Sequence, residues 1–230
     1  MLKNILKKIL KFKIILKFLL RLDNLLYKLI TLSSLEVNNG KHPKHEIIKY
    51  ENWFLDNIEK NQIVLDIGSN LGKMAYLICK KAKHSFGIEL NRQSVEKAIQ
   101  KYDEPNLEFF HSDAMTFDYS KLGKVSVVTM SNVLEHIEER IKLIKKIVTE
   151  IDWDTQPKFL IRVPMIDREW ISVYKKQLGI EWRLDNTHFI EYELNSFKEE
   201  IATSNLEISS YEIKYGELFA VCRGTYEIDR

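Results

Sequence analysis

Residues 64–73 read Val-Leu-Asp-Ile-Gly-Ser-Asn-Leu-Gly-Lys, and this stretch decides the fold. The apolar, largely β-branched run over residues 63–67 predicts a buried strand, which Gly68 and Gly72 end before a helix begins. A glycine-containing turn between a strand and a helix lets backbone N–H groups approach a ligand closely. Asn70 stands where the full dinucleotide fingerprint has its middle glycine, and asparagine tolerates the left-handed backbone conformation.

An acidic residue closes the next predicted strand. Glu89 follows the run His84–Ile88 and lies 17 residues beyond Gly72. A carboxylate in this position can accept hydrogen bonds from both hydroxyl groups of a ribose. The alternative is an ordinary solvated carboxylate at a strand end. Together with the preceding turn, Glu89 favours a nucleoside-containing ligand.

Strands and helices alternate along most of the chain, which predicts an α/β fold with a mostly parallel sheet. The end differs, because residues 207–215 and 217–223 are adjacent predicted strands around Gly216, as in a tight hairpin. The other predicted strands are 63–67, 84–89, 107–111, 125–130 and 158–163, and the predicted helices are 46–58, 71–82, 92–102, 137–150 and 194–204.

Four stretches together resemble the motifs of class I S-adenosylmethionine-dependent methyltransferases. They are VLDIGSNLGK at 64–73, FGIELN at 86–91, HSDAMTF at 111–117 and VVTMSNVLEHIEER at 127–140. The resemblance extends over about residues 42–222. It implies the Rossmann-like methyltransferase fold, a seven-stranded, mostly parallel sheet with a reversed last strand. It also implies a methyltransferase that uses S-adenosylmethionine as the methyl donor.

The resemblance further implies which residues bind the donor, each at the carboxyl end of a strand or in the loop after it. In this prediction Asp66 faces the amino-acid part of the donor, Glu89 the ribose and Asp113 the adenine. For Asp113 the alternative is a cap of the following turn. The complete predicted donor site is Asp66, Gly68, Asn70, Gly72, Glu89, Asp113, Ala114 and Asn132.

The flanking stretches are similar to those of methyltransferases associated with bacterial surface-polysaccharide gene clusters. They are HPKHEIIKYENWF at 42–54, IRVPMIDREW at 161–170 and RLDNTHFIEY at 183–192. This resemblance implies O-methylation of a hydroxyl on a glycan, a lipid-linked glycan or a small precursor. Two alternatives stay open, a quinone- or lipid-type O-methyltransferase and a non-catalytic scaffold that binds S-adenosylmethionine.

Methyl transfer to oxygen requires a general base, because the acceptor hydroxyl must lose its proton. His136 and His188 are the predicted catalytic residues, although His136 could instead simply pack at a helix start. The predicted acceptor contacts are Arg162, Arg183, Asp185 and Tyr192, with ordinary pairing to nearby acids as the alternative for each arginine. The Leu-Glu-His stretch also occurs in metal-associated quinone methyltransferases. No metal site is predicted here, because Asn132 stands where an upstream acid would help.

The basic charge is concentrated at the N-terminus. Residues 1–30 carry eight Lys or Arg and one acid, so a net charge of +2 for the whole chain leaves −5 on the remainder. Nucleic-acid binding by the body is therefore not predicted. Residues 1–32 form a predicted basic amphipathic helix, 33–45 a linker and 46–230 the methyltransferase domain.

The predicted N-terminal helix has too many interspersed lysines for a membrane span. Lysines gather on one side of residues 2–30 and apolar residues on the other, which suits peripheral contact with an anionic membrane surface. Packing on its own domain and pairing with another subunit are the alternatives. We expect a cytoplasmic protein, and peripheral contact of this helix would hold it at the inner face of the membrane. Cys79 and Cys222, as reduced buried thiols, agree with that compartment.

Overall fold

The computed structural model describes residue 3 and residues 12–225. Its helices are α1 (Lys13–Val37), α2 (Pro43–Ile48), α3 (Tyr50–Asp56), α4 (Lys73–Cys79), α5 (Arg92–Lys101), α6 (Arg140–Glu150), α7 (Trp170–Gln177) and α8 (Leu194–Thr203). Its strands are β1 (Ile63–Ile67), β2 (His84–Glu89), β3 (Leu107–His111), β4 (Lys124–Val125), β5 (Val127–Ser131), β6 (Asp152–Trp153), β7 (Lys158–Pro164), β8 (Leu206–Lys214) and β9 (Glu217–Gly224).

The chain divides into two compact units. The sheet unit comprises Tyr50–Met165 and Thr187–Arg230, and the helical unit comprises Met1–Lys49 and Ile166–Asn186. The predicted domain over 46–230 stays a prediction, and within it residues 166–186 group by their contacts with the N-terminal helices. Sequence periodicity could not reveal this, since the grouping depends on contacts between distant segments.

The described residues of the sheet unit form a seven-stranded sheet in the order β3-β2-β1-β5-β7-β9-β8. Strands β3, β2, β1, β5 and β7 are parallel, whereas β9 is antiparallel to both β7 and β8. Tyr215 and Gly216 join β8 to β9 with φ of 51° and 74°, values typical of a type I′ hairpin turn. The predicted class I methyltransferase fold, with its reversed strand, is confirmed.

Neighbouring strands place their apolar residues in two layers, one on each face of the sheet. Val64, Val127 and Leu160 join one buried cluster with Phe54 and Ile78. The residues that follow them in the strands, Leu65, Val128 and Ile161, join the other cluster, which includes Leu143 and Ile147 of α6. Side chains alternate along a strand, so strands covered on both faces read as continuous apolar runs. This explains why the central strands were predictable.

A buried lysine organises the helical unit. Lys175 of α7 donates to Asp23 Oδ2 at 2.5 Å and to Asn24 Oδ1 at 2.8 Å, both on α1. Asn24 in turn donates to the carbonyl of Glu181 at 2.7 Å. Because an ammonium buried without partners is costly, these contacts fix α1 against the segment that contains α7.

Two predicted boundaries near the N-terminus are wrong. The predicted linker over 33–45 is partly helical, because α1 continues to Val37 and α2 begins at Pro43, with His42 capping Lys44 N–H. The predicted single helix over 46–58 is two helices, broken at Lys49, whose φ is 50°. A left-handed residue ends a helix, and nothing in the local sequence marks a lysine for that conformation. The predicted helical residues 1, 2 and 4–11 lie outside the described part.

The apolar side of α1 is largely exposed. Of the described α1 residues only Leu20 is buried. Exposed apolar side chains include Phe12 just before the helix and, within it, Ile14, Phe18, Leu19, Leu22, Leu25, Leu26, Leu29, Ile30 and Leu32. Among the described residues we find no helix that combines the length and the apolarity that a membrane crossing requires.

Candidate active site

The turn after β1 has the backbone shape that its sequence predicts. Gly68, Asn70 and Gly72 have φ of 72°, 48° and 78°, all in the left-handed region. The N–H groups of Gly68 and Ser69 donate to the carbonyl of Ile88 at 2.8 and 3.0 Å, which ties the turn to β2. The turn is thus fixed at the carboxyl ends of β1 and β2, where ligands bind in open α/β sheets.

The two glycines permit close packing within the protein itself. A Cβ atom at Gly68 would lie 2.6 Å from Val133 Cγ2, and one at Gly72 would lie 2.6 Å from Phe109 Cζ. At Gly72 the Cβ of Ala98 is also only 2.8 Å away. Gly72 is therefore required for helix-to-sheet packing in the sheet unit, and a direct contact of either glycine with the donor stays a prediction.

Glu89 shapes the same turn. Its Oε2 accepts from the Asn70 N–H at 2.9 Å, and its Oε1 accepts from the Asn91 N–H at 2.8 Å. Each carboxylate oxygen has a second lone pair, so Glu89 can still accept hydrogen bonds from two ribose hydroxyls. The carboxylate combines the predicted ribose function with a structural one that sequence analysis did not anticipate.

Asp66 is a buried carboxyl group beside this turn. It is 2% exposed, and its Oδ1 accepts from the Thr129 hydroxyl at 2.7 Å, across the β1–β5 ladder in which the two residues are partners. Its Oδ2 has no hydrogen-bond partner within the described residues. Burial raises the pKa of Asp66 to about 7, and the charge of Glu89 adds to this shift. A donor ammonium group would supply the missing partner and favour the ionised form.

Asp113 caps the turn that follows β3. Its side chain is exposed, and Oδ1 accepts from the Met115 N–H at 2.8 Å. The carbonyl of the neighbouring Ala114 accepts from the Tyr119 hydroxyl at 2.8 Å. The capping alternative is thus present in the structure. Contact between Asp113 or Ala114 and the adenine stays a prediction.

The loop after β5 is anchored to β7. Asn132 has a φ of 56°, donates its N–H to the carbonyl of Arg162 at 2.8 Å and accepts from Arg162 Nε at 3.2 Å. Arg162 is buried, pairs with Glu217 Oε2 at 3.1 Å and has its guanidinium 4.1 Å from the ring centre of Tyr50. The alternative of surface pairing for Arg162 is wrong, because β7 is a central strand.

Glu135 is the residue that sequence analysis missed. It lies in a short 3₁₀ turn, Leu134–His136, and is fully buried. Neither of its carboxyl oxygens has a hydrogen-bond partner in the part of the chain that the structure describes. Burial raises its pKa to about 8, with the charge of Glu217 acting in the same direction and that of Arg162 opposing it. In the sequence, only its position inside the Leu-Glu-His stretch pointed to a functional role for Glu135.

The two predicted catalytic histidines lie together, although they are distant in the sequence. The Phe189 N–H donates to the carbonyl of Glu135 at 2.7 Å, which holds the residue 187–189 segment against the 3₁₀ turn. The rings of His136 and His188 meet edge to face, with their centres 4.7 Å apart. The contact places two imidazole rings at one site. The predicted catalytic role of each histidine stays a prediction.

Both rings are held by neighbouring side chains. His188 is buried, and its Nδ1 lies 3.1 Å from Glu191 Oε1. His136 is exposed, and its Nδ1 lies 3.0 Å from the hydroxyl of Thr187. Glu135, His136 and His188 each offer a ligand atom, and these atoms lie within 4.8 Å of one another. The group can hold a proton or a cation.

Comparison with known proteins agrees with this geometry. Residues 64–151, which run from β1 to the end of α6, match the family described as "Methyltransferase domain". This segment is similar to methyltransferase domains. The match supports the predicted S-adenosylmethionine-dependent class and its methyl donor for this segment, whereas the activity of the whole chain and the polysaccharide-cluster subgroup stay predictions.

Among curated proteins, the chain is similar over part of its length to a Pyrococcus abyssi protein named "Probable ribosomal RNA small subunit methyltransferase A". The two are 32% identical over 68 residues, which is 30% of this chain and 25% of that protein. Across four such curated relatives, the matched part is between 25% and 54% of the relative's length. These similarities therefore concern a part of each protein.

Solved structures show the same fold. A chain from the complex of the Haloferax volcanii Trm112 methyltransferase activator with a methyltransferase has a TM-score of 0.62 at 13% identity, covering 80% of this chain and 93% of that one. The magnesium protoporphyrin IX methyltransferase of Synechocystis PCC 6803, with bound S-adenosylhomocysteine, has a TM-score of 0.59 at 15% identity, covering 79% and 83%.

The predicted acceptor contacts lie in different parts of the chain. Tyr192 is fully buried, and its hydroxyl donates to Glu200 Oε1 at 2.7 Å, so it belongs to the core of the sheet unit. Arg183 belongs to the helical unit and pairs with Glu181 through two hydrogen bonds of 2.8 and 2.7 Å. Asp185 belongs to the helical unit as well. Contact of Arg183 and Asp185 with the acceptor stays a prediction.

Proposed function

We propose that the protein is an S-adenosylmethionine-dependent methyltransferase that methylates a hydroxyl group on a glycan or a glycan precursor. The observation that carries the proposal is Glu135, buried beside His136 and His188 at the carboxyl end of β5. The turn at residues 68–72, called the donor turn below, follows the neighbouring strand β1 at the same edge of the sheet. A donor site and a set of proton-accepting groups are thus next to each other.

The chain's own residues account for most of what the reaction needs. S-adenosylmethionine carries an activated methyl group, so in-line transfer to oxygen requires alignment and removal of the hydroxyl proton. Asp66 and Glu89 hold the donor through its charged and hydroxyl groups. The buried carboxyl of Glu135 and the two histidines receive the proton as the oxygen–methyl bond forms and the methyl–sulfur bond breaks. Arg162 holds the loop after β5 in place through Asn132.

The glycan acceptor rests on the resemblance of residues 42–54 and 161–192 to enzymes of surface-polysaccharide gene clusters. Relatives with this fold have names that refer to ribosomal RNA and to magnesium protoporphyrin IX, so the fold alone does not select an acceptor. A quinone- or lipid-type acceptor is the second candidate, and the Leu134-Glu135-His136 stretch favours it. A non-catalytic scaffold would have no use for Glu135 in a buried position.

The decisive experiment compares surface glycans from a strain that lacks the gene with those from the parent strain. The proposal predicts one glycan species whose mass is lower by a single CH2 in the deletion strain, and restoration by the wild-type gene but not by the Glu135→Gln variant. Unchanged glycans, together with a methyl-deficient quinone or lipid in the same strain, would select the second candidate instead.

We also propose that α1 contacts an anionic membrane surface, at the inner face of the cytoplasmic membrane. The described part of α1 exposes Phe18, Leu25 and Leu29 and carries Lys13, Lys17, Arg21 and Lys28. Exposed apolar side chains insert at the headgroup boundary, and each near-surface cation contributes about 1 kcal/mol. This arrangement would bring a lipid-linked acceptor to the enzyme.

Sedimentation with anionic vesicles tests the membrane contact. The double variant Leu25→Glu/Leu29→Glu should lose binding, because two charges enter the apolar side of α1. The control is Ile99→Glu, which changes an equally exposed apolar residue of α5 in the sheet unit. Equal sedimentation of all three proteins would leave α1 to a protein partner.

A further inference from the structure

We propose that Glu135, His136 and His188 bind a divalent transition-metal ion. Their ligand atoms lie within 4.8 Å of one another, and two of the three residues are buried. The ion would sit at the carboxyl end of β5, beside the donor turn. Its binding depends only on these side chains, whereas its role in catalysis rests on the proposed methyl transfer. The proposal departs from the sequence-based expectation of no metal, which did not anticipate that His188 joins Glu135.

The first argument is the carboxyl group of Glu135. It is fully buried, and among the described residues it has no hydrogen-bond partner at either oxygen. Buried carboxyl groups in folded proteins nearly always have partners, and each exception requires an explanation. One of its oxygens lies within 4.8 Å of a ring nitrogen of His136 and of His188. A shared cation satisfies the carboxylate and both rings at once.

The second argument is the orientation of the histidine rings. His188 Nδ1 contacts the carboxylate of Glu191, and His136 Nδ1 contacts the hydroxyl of Thr187. In protein metal sites a ligating histidine commonly donates its other N–H group to a carboxylate or another oxygen, which fixes the ring. Each histidine ring is thus held by a contact of the kind that orients metal-ligating histidines.

The ligand set selects the class of metal. Two imidazoles and one carboxylate suit Zn²⁺, Fe²⁺, Mn²⁺ or Co²⁺, whereas Mg²⁺ and Ca²⁺ prefer oxygen ligands alone. Three protein ligands also leave coordination positions open, as in catalytic sites rather than structural ones. An acceptor hydroxyl could occupy an open position, where the ion would lower the pKa of the hydroxyl and orient its oxygen. Glu135 and the two histidines would then hold the ion, and the proton of the hydroxyl would leave to solvent water.

Titration of the purified, metal-free full-length protein with Co²⁺ tests the proposal. Cobalt bound by histidine gives visible absorption bands that report the ligand set, and calorimetry with Zn²⁺ gives the affinity. We expect a saturable site in the wild type that both Glu135→Gln and His188→Gln lose. The control is the double variant His42→Ala/His45→Ala, which removes the other neighbouring pair of histidines, in the helical unit, and should keep the site.

Affinity for S-adenosylmethionine, measured in the same variants, separates the two proposals. Wild-type donor affinity in Glu135→Gln and His188→Gln would show that both fold and that only the metal site has been removed. Absence of the Co²⁺ bands in the wild type, or bands unchanged in both variants, would overturn the metal site. Failure of the wild type to bind S-adenosylmethionine would instead overturn the proposed function, whatever the result with cobalt.

Discussion

The predicted donor half of the site and its proposed reaction half differ in how their carboxyl groups are satisfied. In the predicted donor half, Glu89 and Asp113 accept hydrogen bonds from backbone N–H groups, so these carboxylates shape the loops in which they lie. In the proposed reaction half, Glu135 is buried and lacks such partners within the described residues. The first two carboxylates therefore have a structural role of their own, whereas no such role accounts for the burial of Glu135.

Of these carboxyl groups, the one without partners among the described residues, Glu135, lowers the stability of the folded protein. A carboxylate that holds backbone amides contributes to stability, whereas a buried carboxyl group without partners opposes folding. Natural proteins keep such groups mainly where function requires them. Asp66 lies between the two cases, because one oxygen is bound by Thr129 and the other is without a partner among the described residues.

The largest expected effect is on turnover. Glu135→Gln should lower kcat by about 100-fold or more, because it removes the ionisable carboxyl from the reaction half. Donor affinity should stay within a few-fold of the wild type. The matched control is Glu139→Gln, four residues away on the surface, where Glu139 pairs with Lys142. Equal turnover of both variants would remove Glu135 from the mechanism.

Packing around the donor turn should give the next largest effect. We expect Gly72→Ala to destabilise the protein by about 2–4 kcal/mol, since the new Cβ would collide with Phe109 and Ala98 at a positive φ. Gly179→Ala isolates the backbone strain, because Gly179 has a φ of 66° and no atom within 4 Å of the added Cβ among the described residues. Urea unfolding that gives equal losses for the two variants would contradict the packing argument.

Asp66 should make stability depend on pH. Burial raises its pKa from 3.8 to about 7, so the folded state favours the protonated carboxyl, and wild-type stability falls as pH rises through that interval. Asp66→Asn does not titrate. We expect it to gain about 4 kcal/mol relative to the wild type between about pH 4 and about pH 8, at about 1.36 kcal/mol per pKa unit. A constant difference across thermal unfolding scans in this range would show that Asp66 is ionised in the folded protein.

The smallest effect belongs to Tyr192. Tyr192→Phe removes the hydrogen bond to Glu200, which retains its ion pair with Arg140, so we expect a loss of about 1 kcal/mol in unfolding free energy. Donor affinity and turnover should not change, because the side chain is in the core. A fall in turnover without a change in stability would return Tyr192 to the acceptor site.

Local sequence predicted the donor half well because its structure is local. The glycines and Asn70 adopt left-handed conformations, for which their residue types are suited, and the central strands are continuous apolar runs. Gly72 shows the limit of this reasoning. Its spacing was predictable, but its close contact with Phe109 depends on a strand that lies more than 30 residues further along the chain.

The reaction half and the helical unit could not be predicted in the same way. The backbone hydrogen bond from Phe189 to the carbonyl of Glu135 helps to hold His188 next to Glu135, and sequence periodicity does not predict it. Likewise, Lys175 is an ordinary surface residue by composition, yet it is buried against Asp23, about 150 residues earlier. Contacts between distant segments decide both cases.

Calorimetric titration with S-adenosylmethionine tests the division of the site most directly, using the wild type, Glu89→Ala and Glu135→Gln. We expect Glu89→Ala to weaken donor binding by about 10-fold or more, because the predicted ribose acceptor and the hydrogen bond that anchors the donor turn at Asn70 are lost together. We expect near wild-type affinity for Glu135→Gln. Equal affinity of Glu89→Ala and the wild type, or an equal loss in both variants, would contradict the account.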